Sequence, residues 1–233
     1  MALLGRIMSS TSIGGRIASA DAPLRCAVFL SGSGSGMEAL VAAQRTHDLL
    51  HQTVVVVSNR ADVEGVARAR RLGLPVEVVE QVKDERRLSR EEHETGILHR
   101  LENHDVELIV LAGYMRLLSP HFLSAWGGRV INIHPSLLPH FPGAHAHRDV
   151  LASGTTLTGC TVHLVDEGMD TGAVIAQRTA PVFPDDDEAL LSARVKVEEH
   201  RLYPEVLTLI AEGRVHLKKN GVEVHDGQGL RVC

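Results

Sequence analysis

The tightest constraint in this sequence is an alternation. Short apolar runs at Cys26–Leu30, Thr53–Ser58, Val76–Val79 and Glu107–Leu111, and a fifth opening at Val130, are separated by segments of helical length. Unbroken runs such as Val54–Val57 suit strands covered on both faces. Helices are expected from Met37 to about Leu50, from Ala61 to Leu72, and beyond the charged stretch 81–94 to about Asn103. Gly73 and Pro75 stop the second of these. Ser119 as N-cap and Pro120 as first residue open a further short one. So regular an alternation implies an α/β protein with a mostly parallel, doubly wound sheet.

From Gly159 the pattern changes. Thr161–Val165 and Ala173–Gln177 read as strands joined by Asp166–Gly172, long enough for a hairpin and too short for a helical crossover. An antiparallel hairpin therefore extends the sheet and carries Asp170 on its loop. Asp185–Glu188 then opens a long last helix with acids at its positive end. Pro204 is expected to end or bend it. No repeat, low-complexity block or linker interrupts residues 23–233, which read as a single domain.

Chemistry gathers at strand ends. The strand opening at Val130 stops at Pro135, which has no amide hydrogen for a ladder. Asn132 and His134, two residues apart, share one face at its carboxyl end, where open α/β sheets bind ligands. One offers an amide donor and the other an imidazole that titrates near neutrality. The bland alternative is a pair of polar residues satisfying loop carbonyls. The first strand is followed by Ser31-Gly-Ser-Gly-Ser-Gly36 and a helix, the arrangement in which backbone amides bind phosphate. It is neither a dinucleotide fingerprint nor a P-loop, since the third glycine comes early and no Lys follows. A flexible tight turn is the competing reading.

Composition excludes several classes. The formal net charge is −5 and no dense basic block is present, against a nucleic-acid partner held by charge. No apolar run approaches the ~20 residues of a membrane span. Three cysteines without a C-x-x-C fit a reducing, cytoplasmic setting rather than a disulfide framework or thiolate zinc site. His134, His140, His145 and His147 lie close together, but no Cys or carboxylate stands at ligand spacing, so no metal is expected. Residues 1–22 carry no acid before Asp21. They fit a transit peptide, an early start with Met8 as the alternative, or, the preferred expectation, a flexible extension.

Three stretches carry a resemblance. They are Leu108–Pro120 with its Leu-Ala-Gly-Tyr-Met-Arg-Leu-Leu-Ser-Pro ending, Asn132-Ile-His-Pro-Ser-Leu-Leu-Pro139, and Thr158–Gln177 with its Val-Asp-Glu-Gly-Met-Asp-Thr-Gly. In order and spacing they resemble the phosphoribosylglycinamide formyltransferases, folate-dependent enzymes of purine synthesis, over about Cys26 to Glu212. The resemblance implies a Rossmann-like formyltransferase fold and formyl transfer from 10-formyltetrahydrofolate, as co-substrate, to the amine of glycinamide ribonucleotide. It implies that Asn132 and His134 flank the formyl oxygen and that Asp170 supports His134. Gly34, Ser35 and Gly36 match the ribonucleotide phosphate site, and Glu199 the residue holding its ribose. Arg90 and Met115-Arg116-Leu117-Leu118 match the folate pocket, with Arg90 toward the glutamate tail. The family usually has Asn where Gly36 stands.

The residues themselves favour direct transfer. No activated nucleophile is evident, whereas an Asn amide and a protonated His can both stabilise an oxyanion. The partners expected are small molecules, with the chain a monomer or homodimer. Alternatives are a formyltetrahydrofolate hydrolase, a formyltransferase acting on another amine such as methionyl-tRNA, or a non-catalytic nucleotide-binding module. Pro135 stands against the methionyl-tRNA type, whose motif typically has Ala there.

Overall fold

The structure is a computed structural model describing residues 11–83, 85–218 and 221–225; Met8, the rest of residues 1–10, and Cys233 lie outside them. In chain order the elements are β1 (Thr11–Ser12), β2 (Leu24–Leu30), α1 (Ser35–Thr46), β3 (His51–Ser58), α2 (Glu64–Arg71), β4 (Val76–Val78), β5 (Val82–Lys83), β6 (Arg86–Arg87), α3 (Arg90–Glu102) and β7 (Leu108–Leu111). They continue with α4 (Pro120–Trp126), β8 (Val130–His134), α5 (Ala146–Ser153), β9 (Leu157–Leu164), β10 (Val174–Pro181), α6 (Glu188–Ala211), β11 (Val215–Lys218) and β12 (Gly221–Val224).

Seven strands form the main sheet in the order β10-β9-β8-β7-β2-β3-β4, with β9 antiparallel to both of its neighbours and the others parallel. The doubly wound sheet with a hairpin extension is thus the observed architecture. Period-two alternation sends successive side chains to opposite cores. Leu24, Cys26, Val28 and Leu30 of β2 join the core under α1 and α6, while Ala27 and Phe29 join the one under α3 and α4. Both faces being covered is why these strands read as unbroken apolar runs. From β2 the chain winds outward to β3 and β4, then returns to β7 and β8 on the other side. The loops after β2 and β7 flank that reversal, where an open sheet leaves a crevice. Ser31 ties them together: its amide donates to the Gly113 carbonyl, its hydroxyl to Asn59 Oδ1, and it accepts from the Met115 amide at 2.9 Å.

Several boundaries differ from expectation. Helix α1 ends at Thr46, because 47–50 must turn the chain back to start β3. The charged stretch 81–94 holds a two-stranded hairpin, β5 with β6, before Ser89 and Glu92 form a reciprocal capping box on α3. Helix α6 neither ends nor breaks at Pro204 but runs on to Ala211. The expected flexible extension is corrected over residues 11–22. Strand β1 pairs with β11, Ile13 is buried, and Arg16 makes a bidentate contact to Glu107 at 2.6 and 2.7 Å. The apolar Ile13 has a core to enter, and Glu107 at the foot of β7 supplies the anion. Strands β11 and β12, which complete that small sheet, had no forecast in the sequence.

Candidate active site

At the β2–α1 turn, Gly34 has φ +72°, and a Cβ there would meet the Gly65 Cα at 2.6 Å, so no other residue fits without rearrangement. The turn leaves the amides of Ser35, Gly36 and Met37 without intrahelical acceptors, and no side chain caps them. Ser35 and Gly36 line a cavity of about 290 Å³, together with Glu199, Lys196, His147 and His200. At Gly36 a Cβ would meet only the Ala112 methyl, at an ordinary 3.7 Å. Glu199 is pushed up to about 7 by burial, against the pull of Lys196.

A second cavity of about 340 Å³ lies on the other side of the β7 and β8 ends. Asn132, His134, His163 and Asp170 form its polar end, and Tyr114, Arg116, Leu118 and Met169 its flank. Met115 and Leu117 stand exposed at the rim, where apolar surface is informative. Arg116 Nη1 is buried without a partner. Gly113, Met115, Ile133 and Pro135 line both cavities, so the two share one wall. Ile133 lies between Asn132 and His134.

The polar end is tightly wired. His134 Nε2 lies 2.8 Å from the Phe141 carbonyl and Nδ1 3.3 Å from Asp170 Oδ2. Both ring nitrogens thus face acceptors, which only the imidazolium satisfies fully. Burial holds the His134 pKa below its ordinary value; the Phe141 carbonyl and then Asp170 push it back up, and His163 adds to the lowering. Asp170 is held below the usual carboxylate range, first by His163, then by the Gly143 amide and His134, against burial. Its Oδ2 accepts from the Gly143 amide at 2.8 Å. The turn-forming role belongs instead to Asp166, whose Oδ1 accepts from the Gly168 amide and the Thr171 hydroxyl. Register places Asn132 opposite His163, and Asn132 Nδ2 lies 3.2 Å from His163 Nε2.

The loop after β8 is pinned from below. The Thr161 hydroxyl donates to the Ser136 carbonyl at 2.7 Å and accepts from the Leu138 amide and Gln177 Nε2. Ser136 Oγ donates to the His140 carbonyl at 2.6 Å, so this serine shapes the loop.

The structure therefore brings Asn132, His134 and Asp170 together, and Gly34, Ser35, Gly36 and Glu199 around the first cavity. It places Met115, Arg116, Leu117 and Leu118 on the second. Arg90 lies apart, exposed at the first turn of α3 and outside both linings. Sequence reading passed over His163, Lys196 and His200, and weighed His147 only as a metal ligand. His163 had one signal, a basic residue inside an otherwise apolar strand run. Among the described residues no cluster of three or more His, Cys, Asp or Glu could hold a metal, and no helix is long and apolar enough to cross a membrane.

A doubly wound sheet here carries two cavities that share a wall beside Asn132 and His134, and a family model described as formyl transferase matches residues 24–207. The chain belongs to the formyl transferase family. It is 40% identical to phosphoribosylglycinamide formyltransferase of Escherichia coli K12, over 87% of this chain and 94% of that one. It is 39% identical to the human trifunctional purine biosynthetic protein adenosine-3, over 95% of this chain but only 22% of that much longer protein. The crystal structure of glycinamide ribonucleotide transformylase 1 from Symbiobacterium toebii superimposes with a TM-score of 0.82 at 39% identity, covering 88% of this chain and 95% of that one.

Proposed function

We propose that the protein transfers the formyl group of 10-formyltetrahydrofolate to the amine of glycinamide ribonucleotide, a step of purine biosynthesis. The observation that carries this is the shared wall: a cavity ending in a phosphate-type turn and a cavity with an apolar flank meet beside Asn132 and His134. In this reading the ribonucleotide phosphate binds the amides of Ser35 and Gly36 beyond Gly34, and Glu199 holds the ribose. The folate lies along Met115–Leu118, with Arg116 and Arg90 available to its carboxylates.

The amine nitrogen attacks the formyl carbon and the carbonyl electron pair moves to oxygen. Asn132 has two amide hydrogens, one directed to His163, leaving the other for that oxyanion. The longer His134 contact, Nδ1 to Asp170, is the one that yields to substrate. Asp170 supports the imidazolium, and the proton lost by the amine is delivered to N10 of the folate as the carbon–N10 bond breaks. Holding both reactants in one site replaces a covalent intermediate with proximity. Purified protein is expected to deformylate 10-formyltetrahydrofolate only when glycinamide ribonucleotide is present. Equal turnover without the amine identifies a hydrolase and ends the proposal.

A further inference from the structure

The charged stretch 81–94 ends on a residue that is not at the surface. Glu94, on α3, is only 2% exposed. A buried carboxylate is costly unless it is hydrogen-bonded, and both oxygens of Glu94 go to one residue. Oε1 accepts from the Ser119 amide at 2.9 Å, and Oε2 accepts from the Ser119 hydroxyl. Ser119 Oγ in turn accepts from the Phe122 amide as N-cap of α4, so its single hydrogen is left for Glu94. Two donors converging on one side chain need two acceptor oxygens, which a carboxylate has and a Gln amide does not.

Ser119 is where one wall of the second cavity ends. Between β7 and α4 the chain runs without regular structure, and Tyr114 to Leu118 line that cavity. The start of this segment is held by Ser31, through the Gly113 carbonyl and the Met115 amide. The Tyr114 ring adds an edge-to-face contact with Phe29, centroids 5.3 Å apart. The far end is held by Glu94. Arg116, Leu117 and Leu118 therefore hang between two hydrogen-bonded anchors, and a shift at either end moves the wall they form.

The same anchor arranges charge. Arg90 lies one turn before Glu94 on α3, so tying Glu94 to Ser119 also sets that helix relative to Arg116. His93, next to Glu94, has Nε2 2.7 Å from the Val79 carbonyl. Its pKa is lowered first by burial, raised by that carbonyl, lowered by Arg116 and raised by Glu94. Arg116 and Glu94 thus reach one buried cluster with opposite charges. Arg116 Nη1 is buried without a partner, and a carboxylate in the same cluster makes that burial less costly.

We propose that Glu94 is a positioning residue for the folate: by clamping Ser119 it sets where Arg116, Leu117 and Leu118 stand in the second cavity. This rests on the function proposed above. The test measures KM for both substrates, and calorimetric binding of tetrahydrofolate, in wild type, Glu94→Gln, Ser119→Ala and the double variant. Glu94→Gln keeps the size and the bond to the Ser119 amide but loses the second acceptor and the charge. It is expected to raise KM for the folate about tenfold, with KM for the ribonucleotide nearly unchanged and tetrahydrofolate affinity reduced to match. Ser119→Ala raises the folate constant too, and the double variant falls well short of the product of the single effects, since both break one contact. A folate KM unmoved in a folded Glu94→Gln, both KM values rising together, or effects that multiply in the double variant overturn the clamp. Where Glu94→Gln does not fold, Ser119→Ala decides on the same two constants. A wild type that binds tetrahydrofolate but transfers no formyl group ends the transfer reading, and the binding series still decides the clamp. A wild type that binds no folate ends both.

Discussion

Asp170 sits on a hairpin loop yet makes its contacts across the cleft, to the Gly143 amide and to the imidazoles of His134 and His163. Asp170→Asn keeps a side-chain oxygen for Gly143 but removes the charge. Turnover is expected to fall by about 10²- to 10⁴-fold, with ribonucleotide and folate KM and the melting temperature little changed. Asp170 raises the His134 pKa, so the mutant His134 should titrate lower by NMR. Glu199 offers a second test. With its carboxyl raised from 4.5 to about 7, the folded state holds an extra proton between those values. The associated stability is full below about 4.5 and is lost as pH rises through about 7. Glu199→Gln should remove this loss in denaturation curves between pH 5 and 9 and flatten the pH dependence of ribonucleotide KM. Asn132, His134 and Asp170 were legible because they lie at strand ends and in a loop of familiar sequence. His163 was hidden, because its role depends on lying opposite Asn132, a register that single-strand patterns do not encode.

The loop from Pro135 to His145 is the element that turns a strand end into a site, and it depends on β9 beneath it. Thr161→Val keeps the shape and removes a hydroxyl that serves the Ser136 carbonyl, the Leu138 amide and Gln177. Leaving the Ser136 carbonyl and the Leu138 amide without that hydroxyl should cost about 2–4 kcal/mol in chemical denaturation, and kcat should fall because His134 is bonded to the carbonyl of Phe141 in the same loop. Parallel strands and their helices were readable from run length and punctuation alone. The N-terminal segment was misjudged because its short pairing, Thr11–Ser12 against His216–Leu217, joins opposite ends of the chain. Strands β5 and β6 are two residues each, too short for any periodicity to register.

At the scale of the molecule, a doubly wound sheet opens a crevice at its strand reversal, and strand β8 divides that crevice into two cavities with one wall in common. Phosphate-type amides line one side and an exposed apolar rim the other, and in the function proposed above the reacting ends of two different substrates meet at Asn132 and His134. This division explains why no activated nucleophile is needed. The most direct test follows the formyl carbon itself. Rapid-quench experiments with 10-formyltetrahydrofolate labelled in the formyl group would measure where the label goes, with and without glycinamide ribonucleotide. Direct transfer predicts that the label passes from folate to the ribonucleotide amide, with none on the protein at any time and no release without the amine. Label covalently bound to the protein, or free formate formed at the same rate without the ribonucleotide, would contradict it.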